Sequence, residues 1–355
     1  SEAEQLALQN KKFQITPYMM DLITKYDQNN ALRKQFIPFY NMLSFYYSAD
    51  YLNELKFQPI PNLIHKYKNR VIITPTNKCA CYCQFCTRQR LTNCDYKSDF
   101  NNQQILEYIQ KNPVINDVLI TGGDPLMMET NELITLIDSI NCIDNIKVIR
   151  IGTRIPITLP MRIDNELVNA LQKYNNLYIN IHINHPLELT SESRKVILKL
   201  ANSGIPLGSQ SVLLKGINDN IVSLKKLFEE LICIKVKPYY LYQCDKVKGC
   251  ENYITTPQKG IELINQLSHE ISGFALPKFV IDTPEAGKMI LAPCNLENFH
   301  NNVVYIPNAI SQNDCAILEE KRNVVITVAR IEPKQKRQPQ KNLSTVLHSF
   351  QFVLK

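Results

Sequence analysis

Four cysteines crowd the segment Cys79-Ala-Cys81-Tyr-Cys83-Gln-Phe-Cys86, eight residues of a 355-residue chain that carries eleven cysteines. Cys79, Cys83 and Cys86 give the spacing C-x3-C-x2-C. Three thiolates so spaced on one loop can hold three irons of a [4Fe–4S] cube and leave the fourth iron open to a substrate or cofactor. Zinc is the competing metal, yet no second C-x2-C or H-x3-H pair lies nearby. Cys81 reads as an extra thiol beside the cluster. The dispersed cysteines (Cys94, Cys142, Cys233, Cys244, Cys250, Cys294 and Cys315) read as small buried hydrophobes.

The cluster must be positioned by whatever surrounds it. From Arg70 onward, short β-branched runs alternate with longer amphipathic stretches. The pattern predicts strands at Val71–Thr74, Asp117–Thr121, Lys147–Gly152, Leu177–Ile183, Pro206–Leu213, Ile234–Tyr242 and Phe279–Asp282. Helices are expected between them at Asn101–Lys111, Asn131–Ile140, Asn165–Tyr174, Ser191–Asn202, Asn220–Leu231 and Pro257–His269. A strand every thirty to forty residues or so implies successive βα units and a parallel sheet, open or closing toward a barrel. In such sheets chemistry gathers at the C-terminal strand ends. The cysteine segment follows the first predicted strand, Gly122-Gly123-Asp124 the second, Asp245 the sixth and Asp282 the seventh. Residues 1 to about 60 read as helical, with Thr16-Pro17 as a helix start. Beyond Lys288 only Val303–Ile306 and Val324–Val328 suggest strands, and Pro333–Asn342 suggests an exposed linker.

Composition excludes several classes. The chain is 45% hydrophobic and 21% charged, ordinary for a folded globular protein. No apolar run approaches the ~18 residues of a membrane span, and no secretory pattern opens the sequence, so a cytosolic protein is expected. The net charge is +7. Five basic residues against Glu332 in the last 25 residues supply +4 of it, which is a basic tail and not a nucleic-acid-binding face.

The blocks around these residues resemble a known family. C-x3-C-x2-C with an aromatic before the last cysteine, followed by Gly-Gly-Asp, resembles the radical S-adenosylmethionine (SAM) enzymes. Within them the chain resembles the lysine 2,3-aminomutases, which also use pyridoxal phosphate (PLP). The resemblance runs in order through Ile15–Tyr18, Arg33–Pro38, Leu63–Tyr67, Cys86-Thr-Arg88-Gln-Arg90, Arg150–Arg154, His182–Pro186, Leu207–Leu214 and Pro238–Asp245. It implies a partial (β/α)6-type TIM-like barrel over 66–290, an N-terminal helical region over 1–65 and a partly stranded extension with a basic tail over 291–355. It also implies a reaction in which a cluster-generated 5′-deoxyadenosyl radical takes a hydrogen from C3 of a PLP-held amino acid. Nitrogen then migrates from C2 to C3 and the hydrogen returns, with SAM as a cofactor.

The resemblance further assigns roles. Lys288 matches the lysine that forms the PLP Schiff base, and Lys66, Tyr67 and Arg70 match the phosphate-binding group. Gly122, Gly123 and Asp124 match the segment at the SAM amino group; His182 and Gln210 match polar positions near SAM. Arg88 matches the arginine for the substrate carboxylate, with Arg90 behind it. Asp245 and Asp282 match the two acids that hold the distal ammonium of lysine. As ordinary sequence features, Lys288 would be a surface lysine, Asp282-Thr-Pro a cap, and Lys66–Arg70 a basic turn.

L-lysine is thus the expected substrate. An arginine 2,3-aminomutase, or an enzyme acting on lysine destined for an elongation factor, are the nearest alternatives. A non-catalytic iron–sulfur protein on the same barrel is the alternative of another class. A flavodoxin or ferredoxin is the expected reductant and a homo-oligomer the expected assembly, with no nucleic-acid or membrane partner. Asn220 stands where family members with a structural zinc have a ligand, and no structural zinc is expected.

Overall fold

The computed structural model describes residues 13–28, 30–38, 47–92 and 100–291, and the backbone of 303–307, 314–319 and 327–330. Cys94, Cys294, the 333–342 linker and the basic tail lie outside the described residues.

One nine-stranded sheet organises the chain, in the order β1 (Leu63–Tyr67), β2 (Arg70–Thr76), β3 (Asp117–Gly122), β4 (Val148–Thr153), β5 (Leu177–His182), β6 (Leu207–Leu213), β7 (Val236–Gln243), β8 (Lys278–Thr283) and β9 (Gly287–Ile290). Strands β2 to β8 are parallel neighbours in sequence order. Helices at Asn102–Lys111, Thr130–Asn141, Asn165–Leu171, Ser191–Asn202, Ile221–Cys233 and Pro257–Glu270 make the six crossovers. This is the parallel sheet that the strand–helix alternation implied, in the partial (β/α)6 form that the family resemblance implied.

Period-two alternation sorts side chains to the two faces of the sheet. Val118, Ile120, Ile149 and Ile151 are buried in the main hydrophobic core, while the residues between them, Leu119, Thr121, Arg150 and Gly152, line the inner cavity. The helices start where capping chemistry permits. Asn101, Asp164, Thr190, Asn220 and Thr256 each accept a backbone N–H from the first turn. Asn220, the position considered as a zinc ligand, is therefore the N-cap of the Ile221–Cys233 helix.

Two strands escape the periodicity. β1 folds back antiparallel on β2, and β9 antiparallel on β8. Both are short, and β9 begins at Gly287 with φ +72, inside what reads as a loop. The sheet is open, since β1 and β9 are its outer members. Side chains nonetheless bridge its edges: Lys66 Nζ donates to Thr283 O at 2.7 Å, and Lys288 N donates to the Tyr67 hydroxyl at 2.7 Å. The N-terminal region is only partly helical among the described residues, with helices at Pro17–Tyr26 and Arg33–Phe36 and a 3-10 turn at Glu54–Phe57. Val303–Pro307, Asp314–Glu319 and Thr327–Arg330 form a separate antiparallel three-stranded sheet.

Candidate active site

A cavity of about 350 Å³ opens inside the sheet, at the C-terminal strand ends. Cys79, Cys83 and Cys86 face it from the loop after β2. The N-terminal region pins that loop in place. Gln14 Nε2 donates to Cys79 O at 2.7 Å, Tyr82 N to Gln14 O at 2.9 Å, and Gln84 N to Gln35 O at 2.9 Å. Cys81 also borders the cavity, but its side chain is buried in one cluster with Met19, Leu22, Ile23 and Phe36, and its Sγ accepts the Thr16 N–H at 3.4 Å. It ties the loop to the first helix, whose N-cap is Thr16.

Burial, then the neighbouring charges of Asp124 and the sister cysteines, pushes the Cys79 thiol up, and burial with Cys83 beside it pushes Cys86 up to about 12. Such thiols deprotonate only with a cation among them. Among the described residues no three His, Cys, Asp or Glu side chains converge as one metal ion requires. In a [4Fe–4S] cube each thiolate takes its own iron, so the thiols face a shared space and not a shared point. The donor set fits the cluster.

Gly123 explains why the second loop can lie against the first. A Cβ there would sit 2.4 Å from Lys78 O and 2.6 Å from Asn77 C. The Asp124 carboxylate is consumed locally, accepting from Thr153 Oγ1 at 2.7 Å, Leu126 N at 3.1 Å and Arg154 N at 2.6 Å. It clamps the β3 loop to the β4 loop, so the side of this segment toward a ligand is the backbone of Gly122 and Gly123. His182 at the end of β5 packs on Phe85, with 5.6 Å between ring centroids, and pairs with Asn184 Oδ1 at 3.1 Å. Gln210 on β6 donates to the Tyr242 hydroxyl at 3.4 Å.

Across the cavity, Lys288 on β9 ion-pairs with Asp282 on β8, Nζ lying 2.9 and 2.7 Å from the two carboxylate oxygens. The same Nζ sits 4.1 Å from the Tyr242 ring centroid and 5.2 Å from that of Tyr240. Asp245, just past β7, lines the same wall. Burial, and next the Asp282 charge, raises its carboxyl well above the usual range, while Lys288 opposes the rise. Asp282 is therefore no helix cap: it faces both Lys288 and Asp245. Lys66, Tyr67 and Arg70 stand at the seam where the sheet edges meet, and the Arg70 guanidinium stacks 4.2 Å from the Tyr67 ring centroid. Two cations and a hydroxyl beside Lys288 are the donors that a phosphate dianion and its anchored aldehyde require, so the set fits PLP.

Arg88 feels the charges of both Cys86 and Asp282. Its Nε and Nη2 donate to Glu54 Oε1 at 3.1 and 2.7 Å, and Arg90 Nη2 donates to Glu54 Oε2 at 2.8 Å. Glu54 is absent from the sequence-predicted set. Nothing in its spacing relates it to arginines 34 and 36 residues away, and only the fold brings them together. Arg154 and Glu188 escape in the same way. Cys79, Cys83 and Cys86 and all the residues assigned by resemblance except Arg90 line this one cavity.

Comparison with known proteins settles the family. The sequence model of the radical SAM superfamily matches residues 73–228. The chain is 40% identical over 286 residues to the L-lysine 2,3-aminomutase of Fusobacterium nucleatum, covering 79% of this chain and 67% of that protein. It is 40% identical over 315 residues to the L-lysine 2,3-aminomutase of Acetoanaerobium sticklandii, covering 86% of this chain and 75% of the relative. The chain belongs to the lysine 2,3-aminomutase family. It is an isomerase of the radical SAM class, and [4Fe–4S], SAM and PLP are the cofactors of that family. The family is not uniform in substrate. The glutamate 2,3-aminomutase of Clostridioides difficile is 37% identical over 279 residues, covering 78% of this chain and 66% of its own.

Proposed function

We propose that this aminomutase interconverts L-lysine and L-β-lysine, and that the residues at the cavity divide the work as follows. Cys79, Cys83 and Cys86 hold the cluster; Gly122, Gly123, His182 and Gln210 border the place for SAM. Lys66, Tyr67 and Arg70 hold the PLP phosphate, and Lys288 takes its aldehyde. When bound, the cluster with SAM supplies hydrogen abstraction by a radical, and PLP supplies the ring across which an amino group migrates.

The protein's own share is placement and charge. Arg88, fixed on one edge by Glu54, offers its remaining N–H groups to the substrate carboxylate. Asp245 and Asp282 await the distal ammonium; a carboxylate and an ammonium ~4 Å apart gain about 4 kcal/mol at an effective dielectric near 20, before desolvation. Asp282 also keeps Lys288 positioned, and the Tyr67 hydroxyl holds its backbone. The walls beside it, Tyr240, Tyr242 and Val212, keep water from the reacting carbon.

The observation that carries the lysine reading is the pair of acids, Asp245 and Asp282, lining one cavity with Arg88, where the Asp282 charge helps raise the Asp245 carboxyl. Two carboxylates repel a glutamate side chain and favour a cationic one. The division of the chain into 1–65, 66–290 and 291–355, a flavodoxin- or ferredoxin-type reductant, a homo-oligomer and a cytoplasmic setting belong to the same proposal. Among the described residues no helix is long and apolar enough to cross a membrane. The test is anaerobic incubation of the reconstituted protein with PLP, SAM, a reductant and lysine, arginine or glutamate in turn, with β-amino acids read by mass spectrometry. β-Lysine with little net loss of SAM is the expected result. β-Arginine alone moves the substrate assignment, and SAM cleavage with no β-amino acid refutes it.

A further inference from the structure

Arg154, directly after β4, has no role in the assignments above, yet it is held by several buried partners. Its side chain is 7% exposed. Nη2 donates to Gln35 Oε1 at 2.5 Å and to Glu188 Oε2 at 3.1 Å, and Nη1 donates to Cys83 Sγ at 2.8 Å. The guanidinium carbon lies 4.4 Å from the Phe36 ring centroid and 5.5 Å from that of Phe85. Its backbone N–H is held by Asp124.

The acceptor Glu188 is itself over-determined. It is fully buried and receives the N–H groups of Asn184 and His185, at 3.1 and 3.0 Å, and the Gln35 amide at 3.0 Å. Glu188 offsets the bulk charge of Arg154 and fixes its plane. The fork that remains is aimed at sulfur. Nε alone of the guanidinium nitrogens has no hydrogen-bond partner, and a buried guanidinium is costly unless it is paired, so the ends that carry the contacts are Nη2, on Gln35 and Glu188, and Nη1, on Cys83.

We propose that Arg154 sets the reduction potential of the iron–sulfur cluster through Cys83, as a positioning residue and not a ligand. The inference rests on the reading of Cys79, Cys83 and Cys86 as cluster ligands. On reduction the cluster gains one electron from a low-potential one-electron donor, and no bond forms or breaks in the protein. The added negative charge spreads onto the thiolates, where a charge-assisted hydrogen bond from a fixed cation stabilises it. Arg154 therefore makes the cluster easier to reduce than the same three thiolates would be alone. It also confines that help to one of the three sulfurs.

The experiment is an anaerobic redox titration of the full-length, cluster-reconstituted protein without SAM, followed by electron paramagnetic resonance, for the wild type, Arg154→Gln and Arg154→Lys. Iron and sulfide content is measured on each sample. The expected result is a more negative midpoint for Arg154→Gln, with the ratio of reduced to oxidised cluster at fixed poise falling about tenfold, which is about 59 mV for a one-electron couple. Lysine keeps a charge but not the planar fork, so Arg154→Lys shifts in the same direction by less. A cluster-loaded Arg154→Gln protein with the wild-type midpoint overturns the proposal, even if SAM binding is weakened. Should Arg154→Gln hold no cluster, an unshifted Arg154→Lys midpoint overturns it equally. Failure of the wild type to bind a cluster refutes the assignment of the cysteines instead, and iron analysis separates the two.

Discussion

Glu54 ties the N-terminal region to the site, and removing its charge is the sharpest test of how the site is built. Its side chain is 6% exposed, and those of its partners Arg88 and Arg90 are 17% and 15% exposed. Burial works against its ionised form, yet the two arginines hold the carboxyl below its usual range. Glu54→Gln keeps the shape and leaves one oxygen to serve guanidinium groups that now use both. The new amide N–H groups would face other donors. Breaking a buried pair in this way costs about 3–5 kcal/mol, against about 0–1 for a solvent-exposed one. The assay is urea unfolding followed by circular dichroism for the wild type, Glu54→Gln, Arg88→Gln and the double variant. The cycle should give a coupling of about 1.5 kcal/mol or more, because the double variant no longer strands the Arg88 charge, while Arg90 keeps Asp50 at 3.5 Å in every variant. A loss below about 1 kcal/mol for Glu54→Gln, or additive single effects, would refute the claim that Glu54 fixes Arg88.

Other outcomes follow from the same geometry. Cys81→Ala should retain the iron and sulfide of the reconstituted wild type, whereas Cys86→Ala should lose most of both; equal losses would show that Cys81 is a ligand. Gly123→Ala forces a Cβ to 2.4 Å from Lys78 O, so the cysteine loop must shift and iron incorporation should fall severalfold, measured colorimetrically. Wild-type iron content there would mean the loops yield at no cost. Burial, and next the Arg154 charge, pushes the His182 imidazole down to about 3 from an ordinary 6.5. The folded state thus refuses a proton that the unfolded chain accepts, so stability is lost as pH falls from 6.5 toward 3. Between pH 7 and 5 the loss is about 2 kcal/mol, and His182→Gln should show that much less pH dependence in urea midpoints. Identical pH profiles for the two proteins would refute a neutral, buried His182.

How much of this was legible in the sequence differs by element. The parallel strands and crossover helices announce themselves, because each buries a stripe whose period, 2 or 3.6, is written in consecutive residues. β1 and β9 do not. They are short edge strands of four or five residues, paired antiparallel, and too brief to build a period. The cysteine spacing is likewise legible, since three cysteines on one loop are a local arrangement.

Local order and residue type, then, determined the barrel, the cluster loop and which residues lie at strand ends. Only the tertiary structure decided which of those residues touch. It packed Cys81 against the first helix, spent the Asp124 carboxylate on a clamp and set Lys288 against Asp282. It also drew Glu54 onto Arg88, and Arg154 with Glu188 onto Cys83. Those partners are 34 or more residues apart. No periodicity links such pairs; the curling of the open sheet around one cavity does, because a buried charge must find its counter-charge in space and not in sequence.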